Sequence, residues 1–113
     1  MYTTSNSKLH ALGIPSEFKC LNHTIRIKNV PGLSGMDRTG DWDPDTNEIR
    51  VFTEGVCADM VIHSFYHEVV HCLLERAGRT ELSQDEQLVD LLGGLLAQYH
   101  QTLVPRSPRT DQE

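Results

Sequence analysis

No run of apolar residues in this chain approaches the ~20 needed to span a bilayer, and no cluster of lysines and arginines offsets its acidic balance. The first absence argues against a membrane-spanning helix. The second, with a net charge of −6, argues against nucleic acid as the main partner. Cysteine is scarce: Cys20, Cys57 and Cys72 are an odd number and form no C-x-x-C pair. Reduced thiols in a cytoplasm fit that usage best. Residues 1–8 are polar and show no signal peptide. What is present is ordinary for one small globular domain: 113 residues, 38% hydrophobic and 23% charged.

The chain divides into a loose tail over residues 1–8, a domain over 9–104 and a disordered tail over 105–113, where Pro105, Ser107 and Pro108 sit among charges. Residues 9–15 carry no clear signal. Phe18, Lys19 and Cys20 form a short strand that turns through residues 21–23. In residues 24–30, Ile25 and Ile27 alternate with Arg26 and Lys28, the pattern of a half-buried strand, and Pro31-Gly32 ends it. Residues 33–42 read as a loop or irregular strand ending at Trp42. Asp43-Pro44-Asp45-Thr46-Asn47 is a turn, and residues 48–53 are a strand with Ile49 and Val51 on one face, so this pair forms a β-hairpin. Asp41, Asp43 and Asp45 invite a calcium reading, but the EF-hand glycine and closing glutamate are missing, which favours a plain turn.

Two helices follow. In residues 58–77, Met60, Val61, Phe65, Val69, Leu73 and Leu74 recur at helical spacing, and Gly78 is placed to end the helix. Ser83-Gln84-Asp85-Glu86 matches a capping box and starts a helix reaching about residue 102. Leu88, Leu91, Leu92, Leu95 and Tyr99 make a large apolar stripe, while Val89, Gly93 and Ala97 make a small one. This predicts a sandwiched helix, with Leu73, Leu92 and Leu95 buried between helices and sheet. Gly93-Gly94 costs roughly 2 kcal/mol of helix propensity against Ala-Ala, and close approach of the first helix would explain it.

The first helix carries His67-Glu68-Val69-Val70-His71, an H-E-x-x-H motif. Residues four apart share a helix face, so both imidazoles point one way and can hold one zinc ion, with Glu68 in reach of a water on it. Cys72 points about 100° away from His71 and reads as a core thiol. A catalytic zinc needs a third protein ligand. The candidates are His63, Glu81, Asp85, Glu86, Asp90 and His100. Three imidazoles on successive turns of one helix converge poorly, which counts against His63. Glu86 lies about 160° from the large stripe and Asp85 only about 60°, so Glu86 shares the small-residue side and can approach the histidines. Asp90 lies on that side too, with a shorter side chain suited to accepting a hydrogen bond from a ligand histidine. On this reading Ser83 caps the second helix and Glu86 turns to the metal.

H-E-x-x-H followed by Glu86-x-x-x-Asp90 resembles the gluzincin pattern. Within it, residues 24–103 are similar to the short zinc metallopeptidase-like proteins of phages and prophages: Ile25-Arg26-Ile27, then Gly40-Asp41-Trp42-Asp43, then the motif, then residues 85–92. The resemblance implies an α+β, minimal zincin-like domain, a small and mostly antiparallel sheet packed on two main helices. It implies Zn2+ held by His67, His71 and Glu86, with Glu68 as general base. It further implies hydrolysis of a peptide or protein substrate in a cytoplasm, the host's if the chain is phage-encoded. Tyr66 is a candidate for supporting the site from its margin, and Tyr66, Tyr99 and His100 are the available groups for stabilising a transition state. An exposed strand edge near residues 33–42 can take an extended peptide. Two other functions stay open: a zinc-stabilised binding module without proteolysis, and a metal-free helical interaction domain using the leucine stripe.

Overall fold

The computed structural model describes residues 6–30 and 39–103. In order these form α1 (Ser7–Ala11), β1 (Glu17–Cys20), β2 (His23–Val30), β3 (Gly40–Asp43), β4 (Glu48–Phe52), α2 (Ala58–Arg76), α3 (Thr80–Ser83) and α4 (Glu86–Leu103). The fold is α+β: one four-stranded sheet, order β1-β2-β4-β3, with helices packed against it. Two of its three pairings are antiparallel. The central one, β2 with β4, is parallel and sets Ile27 beside Ile49. The alternation expected along β2 and β4 is present. Ile25, Ile27, Ile49 and Val51 are buried on one face, while Arg26 and Lys28 are exposed on the other.

Val61, Ile62, Phe65, Val69 and Cys72 of α2 meet those strand residues in one core. Each buried branched side chain contributes about 1.5–3 kcal/mol. The β1–β2 hairpin turns through Leu21 and Asn22, both at positive φ (48° and 74°), the geometry whose twist matches paired strands. Helix α2 ends at Gly78, φ 78°. There Arg79 N–H reaches Leu74 O and Gly78 N–H reaches Glu75 O, a Schellman closure that the glycine makes possible.

Three expectations need correction. Residues 6–8 are not a loose tail. Asn6 donates to Ile27 O and accepts from Asn29 N, both at 3.2 Å, and Leu9 and Ile14 are fully buried; residues 1–5 and 104–113 lie outside the described residues. The sequence reads residues 79–82 as a loop between the two helices, but Thr80–Ser83 forms the short helix α3.

The third correction is the expected burial of the large stripe of α4 and of Leu73 on α2. Its buried residues are Val89, Gly93, Ala97 and His100, whereas Leu73, Leu92 and Leu95 are 41%, 36% and 55% exposed. The cause is the crossing of α2 and α4. A Cβ on Gly93 would stand 2.9 Å from both Cα and N of His67, so the helices touch backbone to backbone there. That contact aims the small stripe inward and turns the leucines out.

Candidate metal centre

The α2–α4 crossing sets the first turn of α4 against His67 and His71. Their rings stand 5.0 Å apart between centroids. Glu86 Oε1 lies 3.2 Å from His67 Nε2, and Glu86 Oε2 lies 3.2 Å from His71 Nε2. Ligand atoms of the three residues all fall within 4.8 Å of one another. The imidazoles are 21% and 15% exposed and the carboxylate 67%, so the cluster is walled by α2 and open to solvent on the Glu86 side.

The other ring nitrogens also meet oxygens. His67 Nδ1 is 3.2 Å from Asp90 Oδ1, as Nε2 is from Glu86 Oε1, so this ring lies between two carboxylates that can only accept. His71 Nδ1 is 2.9 Å from Ser83 Oγ, and Ser83 Oγ donates its one proton to Glu75 Oε2 at 2.8 Å. Ser83 therefore accepts from His71 Nδ1–H. Glu75 is held in turn by Trp42 Nε1–H at 3.0 Å. Both Nε2 atoms face the Glu86 carboxylate, an arrangement that calls for a proton or a cation between them.

The residues weighed as third ligand separate cleanly. Asp85 caps α4, its Oδ1 accepting from Leu88 N–H at 3.1 Å. This corrects the expected cap, Ser83, whose hydroxyl is taken by His71 and Glu75. His100 is buried, with Nε2–H donating to Leu12 O at 2.8 Å and Nδ1 accepting from Tyr66 O–H at 2.7 Å. Tyr66 consequently does not join the histidine pair; it also packs on Phe65, and burial pushes its phenol above the ordinary value. His63 Nε2 lies 3.1 Å from Asp90 Oδ1, without the geometry of a hydrogen bond. Glu81 is exposed on α3.

Glu68 lines two hollows. The smaller, ≈ 240 Å³, is bounded by Gly40, His63, Ser64 and Asp90; the larger, ≈ 420 Å³, by Trp42, His71, Glu75 and Glu86. Gly40 makes the room, since a Cβ there would come 3.5 Å from Glu68 Cγ and 2.9 Å from Arg50 O. Gly40 begins β3, which pairs with β4 alone and forms the sheet edge beside both hollows among the described residues. In the acidic turn the carboxylates of Asp41 and Asp43 have protein partners. Asp41 makes a two-pronged pair with Arg50 at 2.7 and 2.9 Å, whose hydrogen bond raises the guanidinium pKa, and Asp43 Oδ1 accepts from Asp45 N–H at 2.9 Å.

Sequence reasoning found His67, His71, Glu68, Glu86 and Asp90 and missed Glu75, Ser83 and Trp42. Glu75 had a usable signal, one turn beyond His71 on the same face. Ser83 and Trp42 had none, because their roles depend on tertiary contacts. Among the described residues, no helix is long and apolar enough to cross a membrane. Comparison of the chain with protein-family models, with curated proteins and with solved structures returns no match.

Proposed function

We propose that the chain is a zinc-dependent metallopeptidase of minimal zincin-like design, with His67, His71 and Glu86 as metal ligands and Glu68 as general base. The observation that carries this reading is the convergence of two imidazole Nε2 atoms on one carboxylate, each imidazole oriented by an acceptor at its far nitrogen. Metal-binding histidines are oriented in this way. The two His–Glu approaches of 3.2 Å, one to each oxygen of Glu86, bring both imidazoles against a single carboxylate. Exposure on the Glu86 side leaves access for water and substrate, as a catalytic rather than structural site requires.

Zinc bound there supplies Lewis acidity, lowering the pKa of water to about 7 and polarising a carbonyl. Asp90 and Ser83 hold the imidazoles with Nε2 toward the ligand position. Glu68, between the two hollows, takes the proton from the attacking water and delivers it to the leaving amine. Strand β3, the sheet edge among the described residues, offers that edge to an extended peptide, with the hollows on either side of Glu68 receiving side chains.

The test is metal analysis of the purified chain together with hydrolysis of an unstructured protein such as casein. One zinc per chain, lost in His67→Ala, is expected. Glu68→Gln keeps the zinc and abolishes hydrolysis. No zinc in the parent chain would end this reading. A second reading, a zinc-stabilised peptide-binding module, is favoured by one observation. Tyr66 and His100 are spent on each other, and Tyr99 is 63% exposed on the opposite side of α4 from Glu86. Peptide binding that is equal in the parent and Glu68→Gln, without cleavage in either, would select it.

A further inference from the structure

Helix α4 is apolar well beyond the face this chain covers. At 100° per residue, Leu91, Leu95, Leu88, Tyr99, Leu92, Leu103 and Leu96 follow one another around an arc of about 140°. The buried stripe of Val89, Gly93 and Ala97 lies beyond that arc. Exposures are 59% for Leu91, 36% for Leu92, 55% for Leu95, 37% for Leu96, 63% for Tyr99 and 61% for Leu103. Together they present on the order of 500 Å², at the upper end of the largest patch on an ordinary monomer and a large part of the ~800 Å² each partner gives to a stable interface. Residues 91–103 include no Asp, Glu, Lys or Arg, so the patch lacks the charges that a freely exposed helix carries.

The segments outside the described residues have little apolar material. Met1, Tyr2, Leu33, Met36 and Val104 are their only large apolar side chains, scattered over three separate segments. The spacing of the patch points to its occupant. Reversal about the point between Leu95 and Leu96 exchanges Leu88 with Leu103, Leu92 with Tyr99, and Leu95 with Leu96. Leu91 exchanges with buried His100 and so falls at the margin, but Leu88, Leu92, Leu95, Leu96, Tyr99 and Leu103 are their own complement when two α4 helices run antiparallel about a two-fold axis, the symmetry most dimers use. Antiparallel pairing also sets each helix's N-terminus, with Glu86 and Asp90, at the far end from its mate's, so the acidic ends of a −6 chain stay apart.

We infer that the chain forms a two-fold dimer through α4, with Leu95 and Leu96 at the axis. This inference is independent of the metal site, whose residues lie on the other side of the helix. The test is the mass of the full chain by light scattering at about 100 µM, above the micromolar dissociation constants of modest interfaces. Twice the 12.8 kDa chain mass is expected, falling to the single mass in Leu95→Glu with an unchanged circular dichroism spectrum. In a Cys57→Ser background, mixing Leu92→Cys with Tyr99→Cys should give a disulfide-linked pair under mild oxidation. Leu92→Cys alone should not, since its two copies lie about 10 Å apart along the axis. The crosslinking arm stands even if Leu95→Glu fails to fold. A monomeric parent chain, a dimer that survives Leu95→Glu, or a monomer that instead sediments with phosphatidylcholine vesicles would each overturn the inference.

Discussion

Replacing Gly93 by alanine tests the helix crossing that builds the site. The added carbon would stand 2.9 Å from His67 Cα, 2.9 Å from His67 N and 3.3 Å from the Tyr66 carbonyl carbon. All three are backbone atoms of α2 and cannot swing aside. Non-bonded carbons rest about 3.5–4.0 Å apart, so the helices must separate by roughly 0.5–1 Å at this point. Overpacking of this kind costs about 1–3 kcal/mol, and the better helix propensity of alanine returns about 1 kcal/mol. Metal-free stability should therefore fall by about 0–2 kcal/mol in a denaturant titration.

The larger effect belongs to the ligands. Glu86 sits two turns before Gly93 on the same rigid helix, and metal–ligand distances must hold within about 0.2 Å. Zinc affinity, measured by competition with a chelator, should drop tenfold or more, about 1.4 kcal/mol. Gly94→Ala is the control: its Cβ would meet only His63 side-chain atoms, at 3.6 and 3.7 Å, and it should raise stability by up to about 1 kcal/mol. If Gly93→Ala bound zinc like the parent and gained stability like Gly94→Ala, the backbone contact between α2 and α4 would be refuted.

Ile27→Ala, at a fully buried strand position, should cost about 2–5 kcal/mol; Leu92→Ala, measured on the monomer, should stay near the surface range of about 0.5 kcal/mol. Asp85→Ala should cost about 0.5–2 kcal/mol as a lost helix cap. Ser83→Ala should instead weaken zinc binding about 10–100-fold through His71, which titration of metal into each variant separates. Burial pushes the Cys72 thiol from its ordinary value near 9 up to about 12. It stays protonated at pH 8, so iodoacetamide should label exposed Cys57 quickly and Cys72 only on unfolding. Because the folded pKa is the higher one, the stability that Cys72 contributes is full below about pH 9 and is lost as pH rises toward 12.

Local chemistry was legible where one physical requirement dominated. Alternation at Ile25 and Ile27 identifies a strand with one buried face, and Gly78 supplies a backbone conformation other residues avoid. The His67–His71 spacing is set by helix geometry alone, so those side chains converge wherever the helix is placed. The small stripe of α4 was legible as the side that meets α2, where Gly93 touches His67. The exposure of the large stripe was not, because periodicity identifies an apolar face but not whether the chain covers it. The cap of α4 failed for a related reason. Ser83 and Asp85 both suit the role, and hydrogen bonds to His71 and Glu75 remove Ser83 from contention. The parallel β2–β4 pairing also escaped notice, because the strand order that puts β3 on the far side of β4 is a tertiary choice no local pattern encodes.

Trp42 is the chain's one tryptophan. Its indole N–H is bound to Glu75, its ring lies 5.3 Å from the Arg76 guanidinium carbon, and it borders the larger hollow beside Glu68. Three hydrogen bonds in series connect that indole to His71. Emission excited selectively at the indole, at wavelengths where tyrosine does not absorb, therefore originates from a single fluorophore wired to the cluster. Any ion or peptide that shifts His71 or displaces water from the hollow changes the field at that ring. Occupancy can thus be followed on the stopped-flow timescale in unlabelled protein, and the signal needs no deconvolution from other indoles.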